Sequence, residues 1–313
     1  MNELVSVIMS TYNEKEDWIR KSVESILGQT YTNLEFLIVL DNPANSGIRK
    51  ILEEYASNDS RIKLIYNEKN VGLVCSLNKA LNIAKGSFIA RMDADDISYP
   101  ERLEIEYRAM KARNADFVMA TVDYLDENEI VDTNTFEKEY FGKKFERIQK
   151  IGNVSAHPTW FVKRDVYDKL GGYRSVECCE DFEFVLRALQ SGFVCYRISN
   201  HVLAYRMRRT GISRSRTLEQ FVRMHYIRKM YRKGVDLETI SDSDWNADYV
   251  KITDRQKKRF DDAIQLLWSA KIDASERHFV RCLGKVLKGM LRSHYFSRYF
   301  WDNIKWMIAV KVI

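Results

Sequence analysis

The chain has 313 residues, 45% of them hydrophobic, and a formal net charge of +6, which suffices for a proper core in one large domain with an appendage, or in two domains. No run of 18 or more apolar residues occurs, and the start Met1-Asn2-Glu3-Leu4-Val5 carries no basic segment followed by a small-residue cleavage site, so a cytosolic protein without a membrane-spanning helix is expected. The five cysteines, Cys75, Cys178, Cys179, Cys195 and Cys282, are odd in number and lack C-x-x-C spacing, which argues against a disulfide framework and a zinc site and leaves reduced packing residues.

Residues 4–9 are a short β-rich apolar run, and beyond the loop Ser10-Thr11-Tyr12-Asn13 the apolar positions Trp18, Ile19, Val23, Ile26 and Leu27 recur at helical spacing. Residues 34–40 repeat the strand signal and 48–55 the helix. Residues 62–66, 73–84 and 88–91 then read as strand, helix and strand. Such alternation implies βαβ units and a mainly parallel sheet covered on both faces, with the ligand crevice at the carboxyl ends of the strands. The loops at Thr11, Asp41 and Asp93 all follow strands and open on that side. Further on, residues 117–122 read as a strand, 127–149 as polar and mobile, 157–162 as extended, and a helix starts near Glu180. Beyond Arg206 nearly everything reads helical, with breaks near Gly234 and Asp242. The domains expected are 1–210, catalytic, and 211–313, basic and helical.

Asp93-Ala94-Asp95-Asp96 sets three carboxylates directly after the fourth strand. Carboxylate oxygens suit Mg²⁺ or Mn²⁺, and Mg²⁺ is typically held by one or two carboxylates plus substrate phosphates. An acidic turn is the alternative, since Asp side chains bond nearby backbone. An EF-hand loop fits poorly, because the position that needs glycine is Ser98. Neither G-x-x-x-x-G-K-[ST] nor G-x-G-x-x-G occurs, so the P-loop and dinucleotide fingerprints are missing.

The order Val5-Ser6-Val7-Ile8-Met9-Ser10-Thr11-Tyr12-Asn13-Glu14, Leu40-Asp41-Asn42, Asn70-Val71-Gly72, Arg91-Met92-Asp93-Ala94-Asp95-Asp96, Gly171-Gly172-Tyr173 and Glu180-Asp181-Phe182-Glu183 resembles the family 2 glycosyltransferases of the GT-A fold, over roughly residues 3 to 210. The resemblance implies sugar transfer from a nucleoside diphosphate donor, usually a UDP-sugar, to a saccharide hydroxyl with inversion at the anomeric carbon. It implies that Asp95 binds a divalent ion, Mn²⁺ or Mg²⁺, bridging the donor phosphates, and that Asp93 touches the ribose or the metal. Thr11, Tyr12, Glu14 and Asp41 would surround the nucleoside, Asp41 bonding the base. Asn70, Gly72 and Arg91 would belong to the donor site, Asp181 would be the general base, and Glu180 would support it.

Each implied role has a physical reason. Charge developing on a nucleoside diphosphate leaving group is stabilised by a divalent ion. A sugar hydroxyl attacks better as a carboxylate removes its proton. Glu180 and Asp181 equally suit a helix N-terminus, where acidic groups meet the positive end of the dipole. His157 lines the acceptor side or satisfies a buried hydrogen bond, and Trp160 and Tyr173 read as core. Two departures from the family pattern stand out. Leu40-Asp41-Asn42-Pro43 lacks the second carboxylate that many members carry there, and Arg208 stands where histidine is usual. Arg206 or Arg208 could hold the diphosphate as a bidentate donor, or be a basic surface loop.

The charge is split along the chain. Residues 206–313 carry 24 Lys and Arg against 12 Asp and Glu, which leaves 26 basic and 32 acidic residues before them. On a helix, Arg277, Arg281, Lys285, Lys288 and Arg292 form one stripe, and Phe279, Val280, Leu283, Val286, Leu287, Met290 and Leu291 fill the opposite arc. This amphipathic helix, followed by Tyr295, Phe296, Tyr299, Phe300, Trp301 and Trp306, suits the cytoplasmic face of a membrane. On that reading the acceptor is lipid-linked, such as a polyprenyl-diphosphate saccharide, and the resemblance implies capsule, O-antigen or exopolysaccharide synthesis there. The alternative for the helix is packing on the catalytic domain with its basic face solvated. Nucleic acid is not expected as a partner. The rival functions are a metal-dependent nucleotidyltransferase and a non-enzymatic polyanion- or membrane-binding protein.

Overall fold

The strand β2 (Leu34–Leu40) is buried at every position, as a strand covered on both faces must be. It lies between β1 (Val5–Thr11) and β3 (Ile62–Tyr66), with α1 (Glu16–Leu27) and α2 (Ser46–Asn58) as the crossovers. A computed structural model describes residues 3–126, 128–208 and 216–312. These fall into two compact units, one of residues 1–149, 153–175 and 180–211, the other of 150–152, 176–179 and 212–313.

Helices form where the sequence supplies an apolar face and an end signal. In α1 the buried residues Ile19, Val23 and Ile26 recur at helical spacing behind Glu16 and Asp17, which meet the positive end of the helix dipole. In α2 the Asn45 side chain accepts from the Ile48 amide, a standard N-cap. After α3 (Gly72–Ile83) the chain enters β4 (Phe88–Asp93), passes through the two-residue β5 (Ile97–Ser98), and forms α4 (Arg102–Arg113), which stops at the left-handed Asn114.

Next come β6 (Phe117–Leu125), β7 (Val131–Asp132), β8 (Tyr140–Phe141), α5 (Lys143–Gln149), β9 (Phe161–Lys163), α6 (Arg164–Leu170), α7 (Glu180–Gln190) and β10 (Cys195–Arg206). The spatial order is β3-β2-β1-β4-β9-β6-β10-β5. Strands β1 to β4 are parallel, β6 and β10 are parallel, and β9 runs antiparallel to both its neighbours. This is the mixed α/β sheet of a GT-A fold. One face buries Val7, Met9, Phe36, Ile38, Ala90 and Met92 with the apolar sides of α1, α2 and α4.

Two expected segments differ. Residues 157–162 are not extended throughout: His157–Thr159 form a 3₁₀ turn before β9, because Pro158 sets its φ and the Thr159 hydroxyl donates to the Ala156 carbonyl while accepting from the Ala120 amide. Within 127–149, the polar stretch expected to be mobile, lie β7, β8 and α5. Its backbone is held at Asn134, whose amide donates to Asp123, and at the Lys138 and Phe136 carbonyls, which accept from Arg197.

The second unit is helical: α8 (Thr217–Arg232), α9 (Asp242–Val250), α10 (Asp254–Ser275), α11 (Phe279–Arg292) and α12 (His294–Val312). Capping boxes at Ser241/Asp244 and Thr253/Gln256 start α9 and α10, and the chain turns after α8 at Gly234 with φ +70°. Leu218, Phe221, Val222, Phe260, Ala263 and Phe296 form its core. Arg228 pairs with Asp302 at 2.7 Å and ties α8 to α12.

Candidate functional site

Strand register brings three loops side by side. Ser10 pairs with Asp93 and Thr11 with Leu40, so the carboxyl ends of β2, β1 and β4 are neighbours in that order, at the usual spacing of about 4.8 Å. In the first loop the Thr11 hydroxyl and the Tyr12 amide each donate to Glu14 Oε2 at 2.8 Å, and the Tyr12 ring is exposed. In the second, Asp41 is buried and accepts three protein donors: the Asn67 side chain at 2.8 Å and the Val71 and Gly72 amides at 2.9 Å. Asn70 also accepts from the Gly72 amide at 3.0 Å. Gly72 has φ +83°, a conformation that favours glycine. Asp41 thus fastens the Asn70–Gly72 turn with most of its lone pairs and keeps little accepting capacity for a base.

The third loop carries the acidic cluster. Arg91 and Asp93, two apart on β4, point to the same side. The buried Arg91 guanidinium is ion-paired with Asp93 Oδ1, and its Nε and Nη1 have no hydrogen-bond partner among the described residues. Asp95 is buried, and its Oδ2 meets Arg208 Nε at 2.7 Å. Burial and the neighbouring Asp93 push the Asp95 carboxyl up to about 7, against the pull of Arg208.

Asp96 is fully buried. Its Oδ1 accepts from the Arg206 amide at 2.8 Å, while Oδ2 has no partner among the described residues. Burial raises this carboxyl well above the ordinary range. The two arginines weighed for the diphosphate separate here. Arg206 is buried, donating to the Asp95 carbonyl at 2.7 Å and to Glu129 at 3.2 Å beneath the Trp18 ring, so it braces the loop. Arg208 keeps a partly exposed guanidinium.

Glu180 and Asp181 open α7. Asp181 accepts from the Phe182 amide at 2.6 Å and from Asn153 at 3.2 Å, and burial raises its carboxyl above the ordinary range. Burial, the Asp181 charge and, to a smaller extent, the Asp93 charge push Glu180 up to about 7. The Arg91 charge opposes the shift at Asp95, Asp96, Glu180 and Asp181 alike. The metal-type pair and the acidic helix start therefore share one electrostatic environment centred on Arg91.

Several supporting residues escaped the sequence reading. Arg102 is wholly buried, paired with Glu106 at 3.1 Å, and donates to the Arg91 carbonyl at 2.7 Å, which fixes the strand end under Asp93. Asn78 donates to the Tyr173 carbonyl at 2.8 Å and accepts its amide at 2.9 Å. Arg187 donates to the Leu170 and Gly172 carbonyls, so the Gly171-Gly172 turn, with φ +66° and +82°, is held from two sides. The signals available were the Gly-Gly dipeptide and the (i, i+4) Arg–Glu spacing, although the latter ordinarily marks a solvated helix face.

His157 is buried, bonds the Tyr173 hydroxyl at 2.9 Å and packs on Trp160, with its basicity lowered by burial. A cavity of about 380 Å³ lined by Asn78, Ile89, Arg164, Tyr167 and Gly172 among others contains none of the expected donor or catalytic side chains. Among the described residues, three metal-capable groups converge only at Asp273, Glu276 and His278 in the second unit, where Asp273 is already paired with Lys285. The Asp93–Asp95 pair offers two carboxylates, as a site completed by substrate phosphates does.

Residues 6–171 match the family model of glycosyl transferase family 2. An uncharacterised glycosyltransferase of Methanocaldococcus jannaschii is 37% identical over 235 residues, spanning 74% of this chain and 80% of the relative. The chain is a family 2 glycosyltransferase. The O-antigen biosynthesis glycosyltransferase WbnJ of Escherichia coli is 35% identical over 190 residues, 60% of this glycosyltransferase and 72% of WbnJ. Residues 1–349 of TarS from S. aureus, solved in complex with UDP, share the fold with a TM-score of 0.61 at 16% identity, over 95% of this chain and 91% of that solved chain. Family membership sets aside the nucleotidyltransferase and non-enzymatic readings.

Proposed function

We propose that this glycosyltransferase moves a sugar from a UDP-sugar to a saccharide hydroxyl, with inversion, in the synthesis of a cell-surface polysaccharide. The observation that carries the reading is the gathering of Asp93, Asp95, Glu180 and Asp181 within the field of the buried Arg91. Names of relatives supply the substrate class. WbnJ acts in O-antigen biosynthesis, TarS has been solved with UDP and with UDP-GlcNAc, and an E. coli relative 40% identical over 128 residues is a UDP-Glc:α-D-GlcNAc-diphosphoundecaprenol β-1,3-glucosyltransferase. By the same argument the acceptor is a polyprenyl-diphosphate-linked saccharide, met by a protein peripheral to the cytoplasmic face of the membrane. Among the described residues no helix is long and apolar enough to cross one.

The donor set fits Mn²⁺ or Mg²⁺. Asp93 and Asp95 are hard oxygen ligands, and each keeps one carboxylate oxygen without a protein partner among the described residues. When bound, the ion supplies positive charge to the diphosphate as it leaves. Arg208 gives the same anion a guanidinium donor. Thr11, Tyr12 and Glu14 shape the nucleoside side, and Asp41 acts there by holding the Asn70–Gly72 turn. Asp181, oriented by Asn153, takes the proton from the acceptor hydroxyl as its oxygen bonds to the anomeric carbon and the bond to the phosphate oxygen breaks. A carboxyl raised by burial is a stronger base than an ordinary aspartate once ionised.

The test pairs Asp95→Asn with Asp181→Asn. Calorimetry of UDP-sugar binding with Mn²⁺ is expected to fail for the first and to match wild type for the second, while Asp181→Asn lowers transfer, read as UDP release, by about 10²–10⁴-fold. Wild-type transfer in either variant would sink the assignment.

A further inference from the structure

The amphipathic arc of α11 is divided by its packing. Gly289 is buried against the Phe296 ring, and Cys282, Val286 and Met290 are partly covered on the same side. Lys285, expected on the basic stripe, turns inward to Asp273 and Ser269, and Arg277 precedes the helix at φ +62°. Phe279, Val280, Leu283, Leu287 and Leu291 are left 51% to 91% exposed. Spacings of three, four and four from Val280 to Leu291 keep four of them within about 80° of arc, a continuous apolar ridge some three turns long. Arg281, Lys288 and Arg292 run along one edge of it and are exposed. Arg292 pairs with Asp262, while Arg281 and Lys288 make no ion pair among the described residues.

Single exposed apolar residues need no explanation, but an aligned ridge of this size does. Its electrostatics select the occupant. Residues 277–313 contain eight Lys and Arg and one acidic residue, Asp302, so a second copy docked ridge to ridge would bring two cationic edges together. An anionic lipid surface satisfies both components at once: leucines enter the boundary between headgroups and acyl chains while arginine and lysine reach the phosphates. We propose that the outer ridge of α11 docks this protein, helix axis parallel to the plane, on a bilayer that contains anionic lipid. Val280, Leu283, Leu287 and Leu291 are the inserted side chains, and Arg281 and Lys288 are the phosphate contacts. The inference deepens the membrane-side location proposed for the enzyme and rests on that reading only for which leaflet is met.

The full chain is sedimented with vesicles of phosphatidylcholine alone or mixed with phosphatidylglycerol. Binding to the mixed vesicles, weakened by salt, is expected for wild type. Leu283→Gln with Leu287→Gln is expected to lower vesicle partitioning by more than about tenfold, and Arg281→Gln with Lys288→Gln is expected to remove the preference for phosphatidylglycerol. Both double variants should keep wild-type helicity, thermal unfolding and UDP-sugar binding, so loss of vesicle binding reports on the ridge and loss of donor binding on the catalytic reading. Three results would overturn the proposal: no binding by wild type, vesicle binding unchanged in the leucine variant, or a wild-type dimer in light scattering that the leucine variant breaks.

Discussion

Replacing Arg102 with methionine tests how the acidic loop is held from beneath. The Arg102–Glu106 pair is entirely without solvent exposure, and burial pushes the Glu106 carboxyl from 4.5 up to about 7 even with the guanidinium beside it. At about 1.4 kcal/mol per pKa unit, ionising Glu106 in the folded protein already costs about 3 kcal/mol. Deleting one partner of a buried pair costs about 3–5 kcal/mol, and the lost bond to the Arg91 carbonyl adds about 1 kcal/mol. Arg102→Met should therefore lose about 4–6 kcal/mol near pH 8, a large part of a stability of about 5–15 kcal/mol.

The loss also depends on pH. Between 4.5 and about 7 the unfolded chain has released the Glu106 proton while the folded protein keeps it, so this group lowers stability as pH rises through that window and adds no further change above it. Without Arg102 the folded carboxyl titrates higher still, and the decline continues past 7. Urea unfolding at two pH values, near 5 and near 8, should show the smaller loss at the lower one. The double variant Arg102→Met/Glu106→Met should recover most of the loss, because apolar replacement of a buried pair is often neutral. A single variant within about 1 kcal/mol of wild type near pH 8, or a double variant no better than the single, would refute the reasoning.

Two further outcomes are expected. Gly172→Ala adds a Cβ at φ +82°, 2.6 Å from Asn78 Oδ1, and should destabilise by more than about 1 kcal/mol in thermal unfolding; a neutral result would show that Asn78 yields freely. Arg208→Gln removes a charge-assisted donor of about 1.5–3 kcal/mol and should weaken UDP binding by about tenfold or more in calorimetry, whereas unchanged affinity would confine Arg208 to its contact with Asp95.

The parallel half of the sheet was legible because β1, β2 and β4 are mostly apolar, β-rich runs closed by polar loops, and the acidic cluster was legible because it stands at such an end. The reversed strand was not: β9 is only three residues long, and its direction is decided by pairing with β4 and β6. Strand β10 was missed because Ser199, Asn200 and His201 interrupt it at a register shift. The sequence pointed to Arg91 as a donor-site residue, to Arg206 as a diphosphate donor or a basic surface loop, and to Arg102 not at all, since nothing local announces a buried guanidinium. On α11, periodicity defined the apolar arc, but only the contact of Gly289 with Phe296 decides which part of that arc faces inward.

Strand β1 is flanked by β2 on one side and β4 on the other, in matched register. Loops that hang from neighbouring strands can change length independently, because each strand is locked upstream by its own core residues. An insertion between Asp41 and Asn45 would leave Asp93 and Asp95 where they are, while a one-residue deletion inside β4 would turn Arg91 and Asp93 to the opposite face. In such a scaffold the loop after β2 is free to drift through insertions and deletions, and the placement of Arg91, Asp93 and Asp95 is inherited intact.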